Sequence, residues 1–196
     1  MTRKYELKQR AESREETRQR IVEAAVELHH SLGPARTTIT AIAERAGVQR
    51  LTVYRHFPND RALFQACSGQ WASDHPLPNP ASWASFSDPE ERLRVALGEL
   101  YAYYGKTEKM TANVRRDLPL LPALQEIAAS RASYSEAVRS ALDRGWTARG
   151  RRRGLLRASI GHAVEFETWR SLVRQQGLQD SEAVDAMVAL ADAFRS

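Results

Sequence analysis

Cysteine is nearly absent from this chain: Cys67 is the only one in 196 residues. An intrachain disulfide is therefore excluded, as is a metal site built on cysteine pairs, and a reducing, cytoplasmic setting is the expectation. Long apolar runs are missing too. No stretch approaches the ~18 consecutive apolar residues that suggest a membrane span. The N-terminal MTRKYELKQRAESREETRQR has no apolar centre, so it does not read as a secretory signal. There is no glycine-rich phosphate loop, no H-E-x-x-H and no G-x-S-x-G pattern. Cys67 with His56 or His75 lacks an orienting acid beside the thiol, so no nucleophilic constellation forms. An enzyme is not expected, and neither a cofactor nor a bound metal is implied. No convincing strand, internal repeat or low-complexity tract occurs.

What is present is helical periodicity and positive charge. The composition, 42% hydrophobic and 27% charged, suits a globular chain with a real core. The formal charge is +5. Up to Arg61 there are twelve Lys and Arg against eight Asp and Glu, a net of +4 in under a third of the chain. A basic face favours phosphate contact through counterion release.

The most informative stretch runs from Thr38 to Phe57. Ile39, Ile42, Ala43 and Ala46 have helical spacing and end at Gly47. Leu51, Val53, Tyr54 and Phe57 follow in a new phase. The spacing predicts two short helices joined by a tight turn, each too short to stand alone. Gly47 suits the turn because it takes φ > 0 without a Cβ clash, and Thr38 suits the first N-cap. That arrangement is a helix-turn-helix. Side chains near the N-terminus of its second helix are the ones that reach base edges: Gln49, Arg50, Thr52 and Arg55, with Leu51 for apolar contact. Arginine bonds guanine at two atoms and glutamine does so with adenine. Thr52 suits either a base or a phosphate. Phe57 reads as an anchor to the core; Tyr54 reads equally as an anchor or a phosphate donor.

The residues TTITAIAERAGVQRLTVYRHFPNDRALF resemble the DNA-binding segment of the TetR family of transcriptional regulators. The matching positions are Thr38, Ile42, Ala43, Ala46, Gly47, Val48, Thr52, Tyr54, His56, Phe57 and Leu63, and the resemblance runs from about Arg14 to Cys67. It implies that Thr38, Thr40, Tyr54 and His56 touch the DNA backbone. Two positions depart from the family: Asp60 stands where a phosphate-binding lysine is common, with Arg61 as a candidate substitute, and Gln49 is a weaker helix cap than Ser or Thr.

The resulting expectation is an all-α chain of about nine helices in three parts. Residues 1–12 form a flexible arm, either a tail without a role or a source of extra phosphate contacts through Arg3, Lys4, Lys8 and Arg10. Residues 13–60 form the helix-turn-helix domain, whose first helix starts at a Ser13/Glu16 capping box and stops at Gly33-Pro34. Residues 61–196 form a helical effector-binding and dimerisation domain. In it, a fourth helix spans about Arg61 to Ala72 and a proline-rich connection Asp74 to Pro89. Helices follow from Asp88-Pro89 to Gly105, Thr107 to Asp117, Pro122 to Arg144, Arg152 to Gln176, and from about Asp180 onward.

The resemblance further implies a ligand pocket, with Trp71, Tyr101, Tyr104, Arg115, Tyr134, His162, Glu165, Phe166 and Trp169 as candidate lining. Residue by residue, ordinary core is the alternative. It also implies a homodimer through the last two helices, which sets two recognition helices ~34–36 Å apart on near-palindromic double-stranded DNA. The implied function is a repressor released from its operator by a small molecule that tilts the fourth helix. A DNA-organising or partner-binding relative without an effector is the other reading.

Overall fold

In a computed structural model the chain is described at residues 2–130 and 132–195, without the side chains of residues 2–4, 6, 7 and 130. The described residues are helical, with no strand: α1 Thr2–Ser31, α2 Ile39–Ala46, α3 Arg50–His56, α4 Asp60–Asp74, α5 Pro89–Asp117, α6 Pro122–Ser130, α7 Ala132–Leu142, α8 Gly150–Ala163, α9 Phe166–Arg170 and α10 Asp180–Asp192. α6 and α7 flank residue 131, which is not described. The all-α architecture is as expected, and no helix among the described residues is long and apolar enough to cross a membrane.

Packing divides the chain into two compact units, Met1–Pro76 with Lys109–Ser130, and Leu77–Glu108 with Arg131–Ser196. The division does not fall at residue 60, because α4 shares the core of the first unit. Ile21, Val22, Ala24 and Ala25 of α1, Ile42, Ala43 and Ala46 of α2, and Val53 and Phe57 around α3 cluster with Leu63 and Cys67 of α4. The Cys67 thiol is pushed up to about 12 by burial, so it is an uncharged apolar filler.

α1 begins at Thr2, not at Ser13, so residues 2–12 are drawn as its leading turns rather than as an arm. This stretch is rich in Ala, Glu, Lys, Arg and Gln, all good helix formers, and Lys8 pairs with Glu12 at i, i+4. The expected capping box is not used: the Ser13 carbonyl accepts from the Thr17 hydroxyl at 2.9 Å, inside the helix. The side chains of Arg3 and Lys4, expected to reach phosphate, lie outside the described residues. Lys8 and Arg10 are exposed.

The C-terminal end of α1 is held by side chains of α5. Asn113 donates to the carbonyls of His29 (3.2 Å) and His30 (2.9 Å), and Arg116 donates to that of Leu32 (2.9 Å). Buried Asp117 accepts from Arg116 (2.7 Å) and from the backbone N–H of Ala35 (3.0 Å). Orphan helix-end carbonyls are thereby satisfied. Gly33 has φ +100 there, and a Cβ would collide with the Arg116 guanidinium, so the turn admits only glycine without rearrangement.

α5 runs unbroken through Gly105, where two helices were expected from the sequence. A glycine costs a helix only ~1 kcal/mol, and buried positions continue past it at Thr107, Met110, Asn113 and Asp117. The proline-rich connection contains a 3-10 turn, Ser82–Ser85, anchored by fully buried Trp83, whose indole N–H donates to Glu99 at 2.8 Å.

The helix expected from Arg152 to Gln176 breaks at Val164–Glu165 and resumes as α9, which ends in a π-helical turn, Ser171–Gln175. Three carbonyls at the break accept from side-chain hydroxyls. Tyr101 donates to Ala163 O at 2.9 Å, Tyr104 to Val164 O at 2.6 Å, and Thr168 to His162 O at 2.6 Å. α10 packs on α8.

Candidate nucleic-acid interface

α2 starts where Thr38, in extended conformation, accepts from the Ala41 N–H at 3.1 Å through its hydroxyl. It stops at Gly47, in the left-handed region at φ 66, where the Val48 N–H donates to Ala43 O at 2.9 Å. Gln49 precedes α3 in extended conformation and makes no side-chain cap, as its type suggests. Val53 and Phe57 are the inward residues of α3 and its end. That leaves the opposite side to solvent: Gln49, Arg50, Leu51, Tyr54 and Arg55 are exposed and Thr52 is half-buried. Leu51 at 60% and Tyr54 at 47% are unusually open for large apolar groups.

Neither Arg50 nor Arg55 has a hydrogen-bond or ion-pair partner among the described residues. Other arginines of this unit are engaged. Arg45 pairs with Glu27 of α1, and Arg18 lies 5.2 Å from the Phe57 ring centre, where it caps the core cation-on-face. Thr38 and Thr40 are exposed at the start of α2, and so is Arg36, two residues before the cap, which is not among the residues expected from the sequence. Its place beside the capping threonine is the signal that marks it. His56 is half-buried. Partial burial and the cations of Arg14 and Arg18 lower its pKa against the opposing pull of Glu15, so the ring is neutral at pH 7 and presents an N–H, not a cation.

At the start of α4, Asn59 accepts from the Ala62 N–H at 2.9 Å and Asp60 sits in the first turn. Arg61 is paired at 3.0 Å with Glu126 of α6, so it does not stand free to replace the missing lysine.

Behind the interface, His29 is buried, at 5%, with its ring 5.4 Å from that of Phe64. Burial lowers its pKa to about 4, against the pull of Asp117. A histidine held below its unfolded value favours unfolding once it must be charged. Stability is therefore expected to fall as pH drops from about 6.5 toward 4, by ~3 kcal/mol at pH 4. Asp117, held low by Arg116, loses its contribution only below the ordinary carboxylate range. Denaturant midpoints of the chain and of His29→Phe across pH 4–7 check this: the variant's curve should be the flatter one.

The residues expected to line an effector pocket fall in both units. Trp71 and Arg115 belong to the first unit, where Trp71 stacks on His75 with ring centres 3.8 Å apart. Tyr101, Tyr104, Phe166 and Trp169 form one aromatic cluster in the second unit, with centre distances of 5.5–6.4 Å along Tyr101–Tyr104, Tyr104–Phe166, Tyr104–Trp169 and Phe166–Trp169. Tyr101, Phe166 and Trp169 are fully buried, and the Trp169 indole donates to Asp180 at 2.9 Å. Tyr134 donates to Pro78 O at 3.0 Å. His162 and Glu165 instead edge an open groove of about 350 Å³ with Thr168, Leu172 and Met187.

Residues 21–67 match the family described as bacterial regulatory proteins, tetR family. Over 55 residues the chain is 49% identical to the HTH-type transcriptional regulator TtgR of Pseudomonas putida, covering 28% of this chain and 26% of that protein. Over 63 residues it is 43% identical to the regulator SrpR of Pseudomonas putida, covering 32% and 29%. The match therefore spans less than a third of either relative. The fold extends the likeness. NalD, described as the secondary repressor of the MexAB-OprM multidrug efflux pump in Pseudomonas aeruginosa, aligns at TM-score 0.59 and 22% identity over 93% of this chain and 97% of NalD. A TetR-family regulator structure from Mesorhizobium loti aligns at 0.62 and 19% over 92% and 96%. The helix-turn-helix segment at residues 21–67 thus matches that of the tetR family of bacterial regulatory proteins, and the fold of the chain around it is similar to that of TetR-family regulator structures.

Proposed function

We propose that the chain is a homodimeric DNA-binding transcriptional regulator that lays α3 in the major groove of a near-palindromic operator. The observation that carries this reading is the outward face of α3. Arg50 and Arg55 are exposed there and have no partner among the described residues, beside Gln49 and Thr52, on a helix whose inner side is fixed by Val53 and Phe57. In this reading Arg50, Arg55 and Gln49 address base edges, and Thr52 and Leu51 a base or its methyl. Thr38, Thr40, Tyr54, His56 and Arg36 hold phosphates and so set register. Asp60 adds nothing to phosphate binding.

Dimerisation through α8 and α10 is supported by a small and apolar exposed surface: Leu155 and Ala158 on α8, and Ala186, Ala189 and Leu190 on α10. Small residues let helices approach closely, and an exposed leucine on each gives apolar area to bury. Repression is the proposed sign, by analogy with NalD.

Titration of duplex DNA from the chain's own upstream region and of scrambled duplex, at physiological salt, tests the reading. Binding at least about 1000-fold tighter to the former is expected of a specific regulator. Equal affinity for both would overturn it, and a monomer by sedimentation would overturn the dimer.

Release by a small-molecule effector is the finer proposal. The closed aromatic cluster, with both tyrosine hydroxyls and the Trp169 N–H already bonded, favours the alternative of a regulator without an effector at that cluster. A thermal-shift screen separates the two, since a ligand for the folded state raises the melting temperature with concentration.

A further inference from the structure

The connection between α7 and α8 is more strongly charged than the DNA-reading segment. Residues 139–157 hold seven arginines against one aspartate, a net of +6 where the whole chain carries +5. Reading by α3 uses none of it. The turn itself is well built. Gly145 (φ 83) and Gly150 (φ 53) bend the chain, and buried Trp146 donates its indole N–H to Leu142 O at 2.9 Å.

Some of the arginines are consumed by this architecture. Arg153 donates to Asp143 O at 2.8 Å and pairs with the Asp143 carboxylate at 2.8 Å, and Arg152 donates to Ala193 O at 2.9 Å. Arg139 pairs with Glu136 at 3.2 Å on the surface. Arg144, Arg149 and Arg151 are exposed and have no partner among the described residues. Arg157 lies 3.3 Å from Asp143 through Nε, without hydrogen-bond alignment, and its two terminal nitrogens are unengaged among the described residues.

Arg144 and Arg157 face a groove of about 360 Å³ between α7 and α8, with Ser140 on one wall and Ile160 and Gly161 on the other. The two carboxylates at its edge, Glu136 and Asp143, already have the arginine partners named above. Arg144 and Arg157, with Arg139, thus line a concavity of the size of small-molecule sites, ~300–1000 Å³. Guanidinium groups stay charged at all working pH values and bind carboxylate or phosphate oxygens in pairs. A flat basic surface would suit a long polyanion; a groove edged by Arg144, without a partner among the described residues, and by Arg157, held only through Nε by Asp143, suits a compact one.

We propose that this groove is a binding site for a small multivalent anion, whose phosphate or carboxylate oxygens are held by Arg144 and Arg157 with the Ser140 hydroxyl donating. The site is separate from α3 and stands whether or not the DNA reading does.

Isothermal titration of the full chain with inorganic pyrophosphate and with citrate, at constant ionic strength, tests it. The expected result is saturable binding of at least one probe, and which of the two binds distinguishes a phosphate from a carboxylate ligand. Arg144→Gln/Arg157→Gln should weaken that binding at least about tenfold, at ~1.5 kcal/mol or more per charge-assisted bond lost. Arg151→Gln, outside the groove, should leave it unchanged. Should the double variant melt differently without probe, Arg144→Gln alone provides the comparison. Heats no larger than those of chloride at equal ionic strength overturn the proposal. So does equal binding by wild type and variant, or displacement of the probes by random duplex DNA with the same arginine dependence, which would make the face a nucleic-acid surface.

Discussion

Replacing Arg50 and Arg55 together with alanine should lower affinity for the specific operator at least about 30-fold per half-site, since each arginine–guanine pair is worth ~1–3 kcal/mol. Affinity for scrambled duplex should fall much less, because that binding rests on the summed charge of the face. The fold should be untouched: both side chains are exposed and neither is bonded to any described residue. Alanine is also at least as good a helix former as arginine. Anisotropy titrations on both duplexes at one salt concentration, beside thermal melts of the variant, read these quantities separately. Unchanged affinity for both duplexes would remove α3 as the reader. A parallel loss on both would demote the two arginines to phosphate contacts.

The second large effect concerns stability. Trp169→Ala should destabilise the chain by about 3–5 kcal/mol, a large share of the ~5–15 kcal/mol typical of a folded domain. The indole is fully buried, donates to Asp180 at 2.9 Å, and contacts Phe166 and Tyr104, while Arg174 covers its face at 5.1 Å. Removing it leaves a cavity and an unpaired Asp180 oxygen. Trp169→Phe should cost less, because a six-membered ring remains to fill most of the site, although the five-membered ring and its N–H bond, at ~1–3 kcal/mol, are lost. Urea unfolding followed by circular dichroism measures both. A loss below ~1 kcal/mol for the alanine variant would mean that this cluster does not close the core, and an effector cavity at Tyr101, Tyr104 and Phe166 would regain its standing.

The α2–turn–α3 element was legible because every determinant is local. Thr38 caps its own helix, Gly47 supplies the left-handed residue, and the phase change from Ala46 to Leu51 marks two helices. The exposed reading face followed from the same periodicity, since placing Val53 and Phe57 inward turns Arg50 and Arg55 outward. Elements settled by distant partners were misread. Gly105 looks like a terminator until Thr107 and Met110 beyond it are seen to be buried in the same helix. The break at Val164–Glu165 has no glycine or proline to announce it, and it persists because hydroxyls about sixty residues earlier bond the released carbonyls.

By itself the sequence determined the helical class, the helix-turn-helix and the identity of its outward side chains, because capping, glycine conformation and helical period act within a few residues. Only the tertiary structure decided which aromatics are core, that Arg61 is engaged by Glu126 while Arg50 and Arg55 are not, and that the arginines after α7 flank a groove. Each of those outcomes depends on which groups from distant parts of the chain meet, and no local pattern encodes that meeting.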